Sequence, residues 1–206
     1  MVEANGLVCA AGHAFDRAKT GYVNLLPVQK KRSKDPGDSK EMVASRREFL
    51  AKGHYDPVIQ AILDSLPQPL QQMSDLSVFD AGCGEGHYLR QLSQQLRERT
   101  QLDAIGLDIS KWAITDASKR DKKIDWIVGS NAHVPVADGR FDWVMCAFGF
   151  PVVSEFTRIL KQQGWLLLVE SGSEHLIELR EILYPEIKSY QATFAEGLDG
   201  FVLKHE

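Results

Sequence analysis

Residues 78–86 read Val-Phe-Asp-Ala-Gly-Cys-Gly-Glu-Gly, an apolar strand running straight into three alternating glycines. A structural strand-to-helix turn needs one glycine. Three in alternation leave a stretch of backbone without Cβ atoms, so a ligand can lie against it where the next helix begins. The rest of the chain from residue 76 repeats this strand-then-helix theme. Short apolar runs (LSVFDA, LDAIGL, IDWIVG, FDWVMCAF, GWLLLVE) alternate with stretches of helical period. Leu89, Leu92 and Leu96 stripe one such stretch, and Val152, Val153, Phe156, Ile159 and Leu160 another. Leu176, Ile177, Leu179, Ile182 and Leu183 stripe a third. This alternation predicts an α/β fold with a mostly parallel, doubly wound sheet.

Composition agrees with a folded domain. The chain has 206 residues, 44% of them hydrophobic and 25% charged, which excludes a disordered chain. No apolar run is long enough to span a membrane. The first twenty residues, with Glu3, Asn5, His13 and Asp16, do not read as a signal peptide. Cys9, Cys83 and Cys146 are too few for a disulfide framework, which predicts a cytoplasmic protein. The net charge of −4 hides an uneven distribution. Residues 28–52 carry eight Lys and Arg (Lys30, Lys31, Arg32, Lys34, Lys40, Arg46, Arg47, Lys52) against four acids. A basic segment on an acidic body suits contact with phosphates, and reads equally as a solvated charged face.

Three segments follow. Residues 1–27 are short-patterned and aperiodic, and predict a small irregular lobe. Residues 28–56 form a basic loop and helix, the candidate phosphate-contacting segment. Residues 57–206 carry the sheet and the ligand site. In the middle segment, Asp38 with Glu41 three residues on predicts a helix N-cap. Met42, Val43, Phe49 and Leu50 share one face of that helix, with Arg46 and Arg47 on its flank. Asp56-Pro57 opens a second helix that Pro67 and Pro69 end. Near the C-terminus, Phe201-Val202-Leu203-Lys204 suggests a further strand.

The acids around the glycine turn narrow the ligand. Asp108 ends the strand after the turn, where doubly wound folds grip ribose hydroxyls. Its competing reading is a helix N-cap, a role that Ser110 already fills. Asp80 before the turn and Glu85 within it would repel a pyrophosphate. S-adenosylmethionine carries a sulfonium and an ammonium and no phosphate, so it tolerates them. Asp80, Gly82, Gly84, Glu85, Gly86 and Asp108 are therefore candidate cofactor residues; the turn resembles that of class I methyltransferases, which implies that Asn131 in Gly129-Ser130-Asn131-Ala132 lies at the adenine edge.

The pattern Asp-x-Gly-x-Gly-x-Gly resembles the first motif of class I methyltransferases, and Phe141–Met145 resembles their fourth strand. Leu160-Lys161-Gln162-Gln163-Gly164-Trp165 is similar to the turn before their fifth strand, with Gln163 where glycine is usual. Tyr22-Val23-Asn24-Leu25-Leu26-Pro27-Val28-Gln29, Asp35-Pro36-Gly37-Asp38-Ser39 and Gly53-His54-Tyr55 are more specific. They resemble the bacterial 23S ribosomal RNA (guanine-N1)-methyltransferases, related to the tylosin-resistance enzymes. The resemblance implies a Rossmann-like class I fold, S-adenosylmethionine as cofactor and an rRNA hairpin as partner. It adds Tyr55 and His175 to the cofactor contacts. Lys30, Lys31, Arg32, Lys34, Arg46 and Arg47 become RNA contacts, and a homodimer is an open expectation.

The family begins with a zinc ribbon of four ligands. Cys9 and His13 match its second half, and Met1–Val8 holds no first pair, so a truncated chain or a decayed site is expected. Cys83 and Cys146 read as core. Guanine N1 carries a proton, so methylation needs a proton acceptor; Asp142, His133 and Glu170 are unranked candidates. The alternatives are a cofactor- or RNA-binding homologue without turnover, and a small-molecule methyltransferase.

Overall fold

The computed structural model describes residues 2–3, 6–9, 11–27, 29, 33, 36–187 and 198–204, the first two by backbone alone. Val2–Glu3 (β1), Gly6–Val8 (β2) and Ala14–Asp16 (β3) form a small antiparallel sheet. The lobe expected to be irregular is thus a three-stranded meander. Strands of two or three residues are too short to print an alternation in sequence. Val23–Asn24 (β4) then leaves the lobe and pairs in parallel with the central sheet. Tyr22, Val23 and Leu26 are buried there, which gives the YVNLLP segment a packing role.

The helices Lys40–Leu50 (α1), Asp56–Asp64 (α2) and Gln68–Gln71 (α3) precede the regular part. That part runs Asp75–Ala81 (β5), His87–Leu96 (α4), Gln101–Asp108 (β6), Lys111–Arg120 (α5), Asp125–Val128 (β7) and Phe141–Ala147 (β8). Val153–Ile159 (α6), Leu160–Val169 (β9) and Ile177–Leu183 (α7) complete it. The central sheet has the order β4-β7-β6-β5-β8-β9, and every recorded neighbour pair is parallel.

The middle strands are mostly apolar because both faces are covered. Successive residues feed opposite cores. Val78 and Trp143 join Ile59, Leu89 and Leu92 on one face. Phe79 and Val144 join Phe141, Phe156 and Ile159 on the other. Each such side chain contributes roughly 1.5–3 kcal/mol on burial. No helix among the described residues is long and apolar enough to cross a membrane.

Several local expectations shift. Ser39, not Asp38, caps α1, accepting from the Met42 N–H at 3.3 Å. Asp38 is drawn instead into an ion pair with Arg46 at 2.7 Å. Only Val43 and Leu50 of the α1 face are buried, whereas Met42 and Phe49 are exposed. The second helix does end ahead of Pro67, and the short α3, which was not expected, follows before β5. The α7 stripe forms a helix, but none of its residues is buried, and Ile182 is 81% exposed. Residues 201–204 form no strand, and Val202 and Leu203 point to solvent.

Gln163, inside β9 where its register with β8 shifts, sits at φ 64° in the left-handed region. That conformation costs an ordinary residue roughly 1–2 kcal/mol. Gln163→Gly should therefore raise unfolding free energy by about 1 kcal/mol in urea titration, while the β-branched Gln163→Val lowers it. An unchanged midpoint in Gln163→Gly would show that this position carries no such strain.

Candidate functional site

The glycine turn is stitched to the neighbouring strand before any ligand arrives. The Gly82 and Cys83 N–H groups both donate to the Leu107 carbonyl, at 2.8 and 3.0 Å. Gly82 and Gly84 stand at φ 78° and 57°, conformations that glycine adopts without penalty. Asp108, half-buried at the tip of β6, accepts from the Gly84 N–H at 2.9 Å and from the Ser110 N–H at 2.7 Å. Ser110 caps α5 through its hydroxyl, as the sequence indicates.

The remaining two turn residues have protein neighbours of their own. A Cβ on Gly86 would lie 2.4 Å from the Trp126 ring, so this glycine lets the indole pack across the turn. Glu85 is buried and accepts from the His87 N–H at 2.9 Å, holding the start of α4. Its side chain is thus engaged in supporting the turn.

The far wall comes from the end of β8, which sequence reasoning missed. Gly149 lies against the turn, with room for no Cβ between Cys146 Sγ, the Ala81 carbonyl and Gly82. Asn131 donates its amide to the Phe150 carbonyl at 2.9 Å, and its Oδ1 is buried without a partner among the described residues. Phe148 meets Tyr55 and Tyr88 with ring centroids 5.9 Å apart in each case. Tyr55 in turn meets Phe49 of α1. Phe150 is 90% exposed beside this cluster. The aromatic-glycine-aromatic-proline run at 148–151 was the signal available for this wall.

Acid crowding sets the electrostatics. Burial pushes the Asp80 carboxyl up to about 8, with Asp108 and Glu85 adding to the effect. Burial also raises Asp108, against which its two backbone N–H donors work. Cys83 is raised well above the usual thiol range by burial, and Cys146 to about 12 for the same first reason. Both cysteines are buried, inert core. An acidic site with open glycine backbone and an orphaned acceptor fits a cationic, phosphate-free ligand such as S-adenosylmethionine.

Other expected residues lie elsewhere. Asp142 sits at the beginning of β8, the opposite end of the sheet, where it accepts from Ser77 and pairs with Lys161 at 2.8 Å. Burial opposes its ionisation, but these bonds win and hold it below the usual carboxylate range. It is no proton acceptor for this site. His175 is half-buried in the turn before α7, its backbone N–H bonded to the Gly172 carbonyl. Lys30, Lys31, Arg32 and Lys34 lie outside the described residues. Arg46 and Arg47 are not free surface charges, since they pair with Asp38 and with Asp116 at 3.2 Å. Cys9 Sγ and His13 Nδ1 do converge, at 3.4 Å on an exposed hairpin. Two donors are half a closed tetrahedral zinc site, and no group of three metal-binding side chains occurs among the described residues. These residues alone do not fit a structural zinc.

Between about pH 4 and 8 Asp80 keeps a proton in the folded chain that it loses when unfolded. Stability from this group therefore falls as pH rises through that window. Asp80→Asn should stabilise the ligand-free protein by at least about 1 kcal/mol at pH 8–9 and by little at pH 4. Urea midpoints that differ equally at both pH values would refute the assignment.

Comparison with known proteins adds the lineage. The family described as "RlmA, N-terminal", a zinc-ribbon family, matches residues 1–34, and "Methyltransferase domain" matches residues 78–164. The chain is 32% identical over 178 residues to the 23S rRNA (guanine(748)-N(1))-methyltransferase of Streptomyces fradiae, spanning 86% of this chain and 61% of that one. It is 35% identical over 182 residues to YxjB of Bacillus subtilis (strain 168), provisionally named a 23S rRNA (guanine-N(1)-)-methyltransferase, spanning 87% and 63%. Among solved structures, the PH0226 protein of Pyrococcus horikoshii OT3 superposes with TM-score 0.50 at 23% identity, over 63% of this chain and 60% of that one. That likeness supports the fold alone. The two matched domains in order, and identity across most of the chain, make it similar to the 23S rRNA (guanine-N1)-methyltransferases, and it spans 61–63% of the length of these two relatives.

Proposed function

We propose that the chain provides the cofactor-binding machinery of an S-adenosylmethionine-dependent enzyme that methylates N1 of a guanine in a 23S rRNA hairpin. The observation that carries the reading is the acid-lined glycine turn facing Asp108 at the C-terminal ends of parallel strands. The relatives' names support the acceptor. When bound, the cofactor supplies a methyl group activated on a sulfonium. Asp108 holds the ribose hydroxyls, Asp80 faces the cationic end, and the open backbone of Gly82 and Gly84 lets the ligand approach. The exposed Phe150 offers a face on which an unpaired base stacks. His133 and Glu170, after the ends of β7 and β9, remain as acceptors for the N1 proton. Holding the two reactants in line is the enzyme's main contribution, worth roughly 7–11 kcal/mol in favourable cases.

The basic loop is assigned to the RNA. Its four cations, Lys30, Lys31, Arg32 and Lys34, fall immediately before the Asp35-Pro36-Gly37-Asp38-Ser39 segment. Gly37 of that segment presses on Ile109 and Ser110 at the end of β6, with φ 83° and no space for a Cβ. The anchoring of Gly37 beside the end of β6 supports this assignment of the sequence that precedes it.

Calorimetry should give S-adenosylmethionine binding and no NAD binding. Asp108→Ala should weaken it by roughly 1.5–3 kcal/mol, since hydrogen bonds to a charged group are removed. NAD binding without S-adenosylmethionine binding would overturn the reading.

Replacing Lys30, Lys31 and Arg32 together by Ala should reduce the salt slope of hairpin binding by about two, at about 0.7 per phosphate. Cofactor affinity should stay the same. An unchanged slope and RNA affinity would remove the loop from the RNA surface.

A further inference from the structure

Arg46 has been counted with the basic run that precedes it, yet its guanidinium lies over the glycine turn. Its Nη1 lies 3.7 Å from the point where a Cβ on Gly84 would be, and Gly84 has none. The same nitrogen pairs with Asp38 at 2.7 Å. Asp38 is itself fastened over the end of β6, its backbone carbonyl accepting from the Ser110 hydroxyl at 2.7 Å. Arg46 is therefore fixed above the middle glycine of the turn, facing the same space as Asp108, and it works against the burial that raises Asp108. One turn further along α1, Phe49 joins the aromatic cluster through Tyr55, so this helix face borders the site. Half of the Arg46 side chain is still exposed, so the ion pair leaves N–H groups of the fork open.

The ligand proposed for this site carries two cationic groups, which suit the acid at Asp80, and one anion, the carboxylate of its amino-acid end. We infer that Arg46 binds this carboxylate, held in place for the purpose by Asp38, and that it selects ligands bearing the amino-acid end. The inference rests on the cofactor reading above and goes further by naming the group that discriminates between nucleosides. It also withdraws Arg46 from the RNA surface. Arg47, paired with Asp116 of α5, anchors the helix that carries it.

Calorimetry with S-adenosylhomocysteine and with 5′-methylthioadenosine, which has the nucleoside and thioether but no carboxylate, separates the possibilities. Arg46→Met should weaken S-adenosylhomocysteine roughly 10–100-fold and leave 5′-methylthioadenosine within about twofold. Arg46→Lys keeps the charge without the fork and should fall between. Equal losses for both ligands, in variants whose thermal melting matches the parent protein, would overturn the assignment. Unchanged S-adenosylhomocysteine affinity with weakened hairpin binding would also overturn it, returning Arg46 to the RNA. Failure of the parent protein to bind S-adenosylhomocysteine at all would instead overturn the cofactor reading, and this inference with it.

Discussion

The Asp108 carboxylate is the joint on which the site depends. One oxygen holds the Gly84 N–H and the other the Ser110 N–H, so one side chain fixes both the glycine turn and the entry to α5. The Leu107 carbonyl beside it fixes Gly82 and Cys83. Two adjacent residues at the tip of one strand thereby set the shape of a loop from another. The cost is a crowded set of acids, and Asp80 shows it by keeping its proton close to neutral pH. Where a carboxylate organises the backbone and also receives a ligand, the ligand must share a group that is already bonded. That favours a ligand whose hydroxyls can donate without displacing the amides.

Much of this was legible from residues because parallel strands buried on both faces read as mostly apolar runs, and three alternating glycines stand out. The parallel doubly wound class, the nearness of Asp108 to the glycine turn and the Ser110 cap all follow from those two signals. Asp142 was misplaced for a simple reason. A residue near a strand end in sequence has two ends to choose from, and Asp142 is at the first residues of β8, not the last. The wall at Phe148–Phe150 went unread because aromatic residues after a strand are common and only proximity to Gly82 gives them meaning.

The N-terminal third was harder to read. Its strands are two or three residues long, and the charge of Arg46 and Arg47 gave no hint that each has an acid waiting in three dimensions. Net charge in a window counts cations; it cannot say which are already neutralised. The one-residue displacement of the α1 cap has the same origin, since Asp38 is drawn to Arg46 and leaves Ser39 to cap.

The partner of β4 has a consequence for how the chain assembles. Val23 pairs with Ile127 and Asn24 with Val128, so the outermost strand closes over about a hundred intervening residues. Contacts of such long range form slowly and late, because the loop must be closed before they return any energy. During synthesis, Tyr22, Val23 and Leu26 emerge early and have no sheet to join until β7 has left the ribosome. Their apolar side chains are exposed through that interval, when a nascent chain is most open to chaperones or to self-association. The edge of the sheet is thus the first part of it to be made and among the last to be placed.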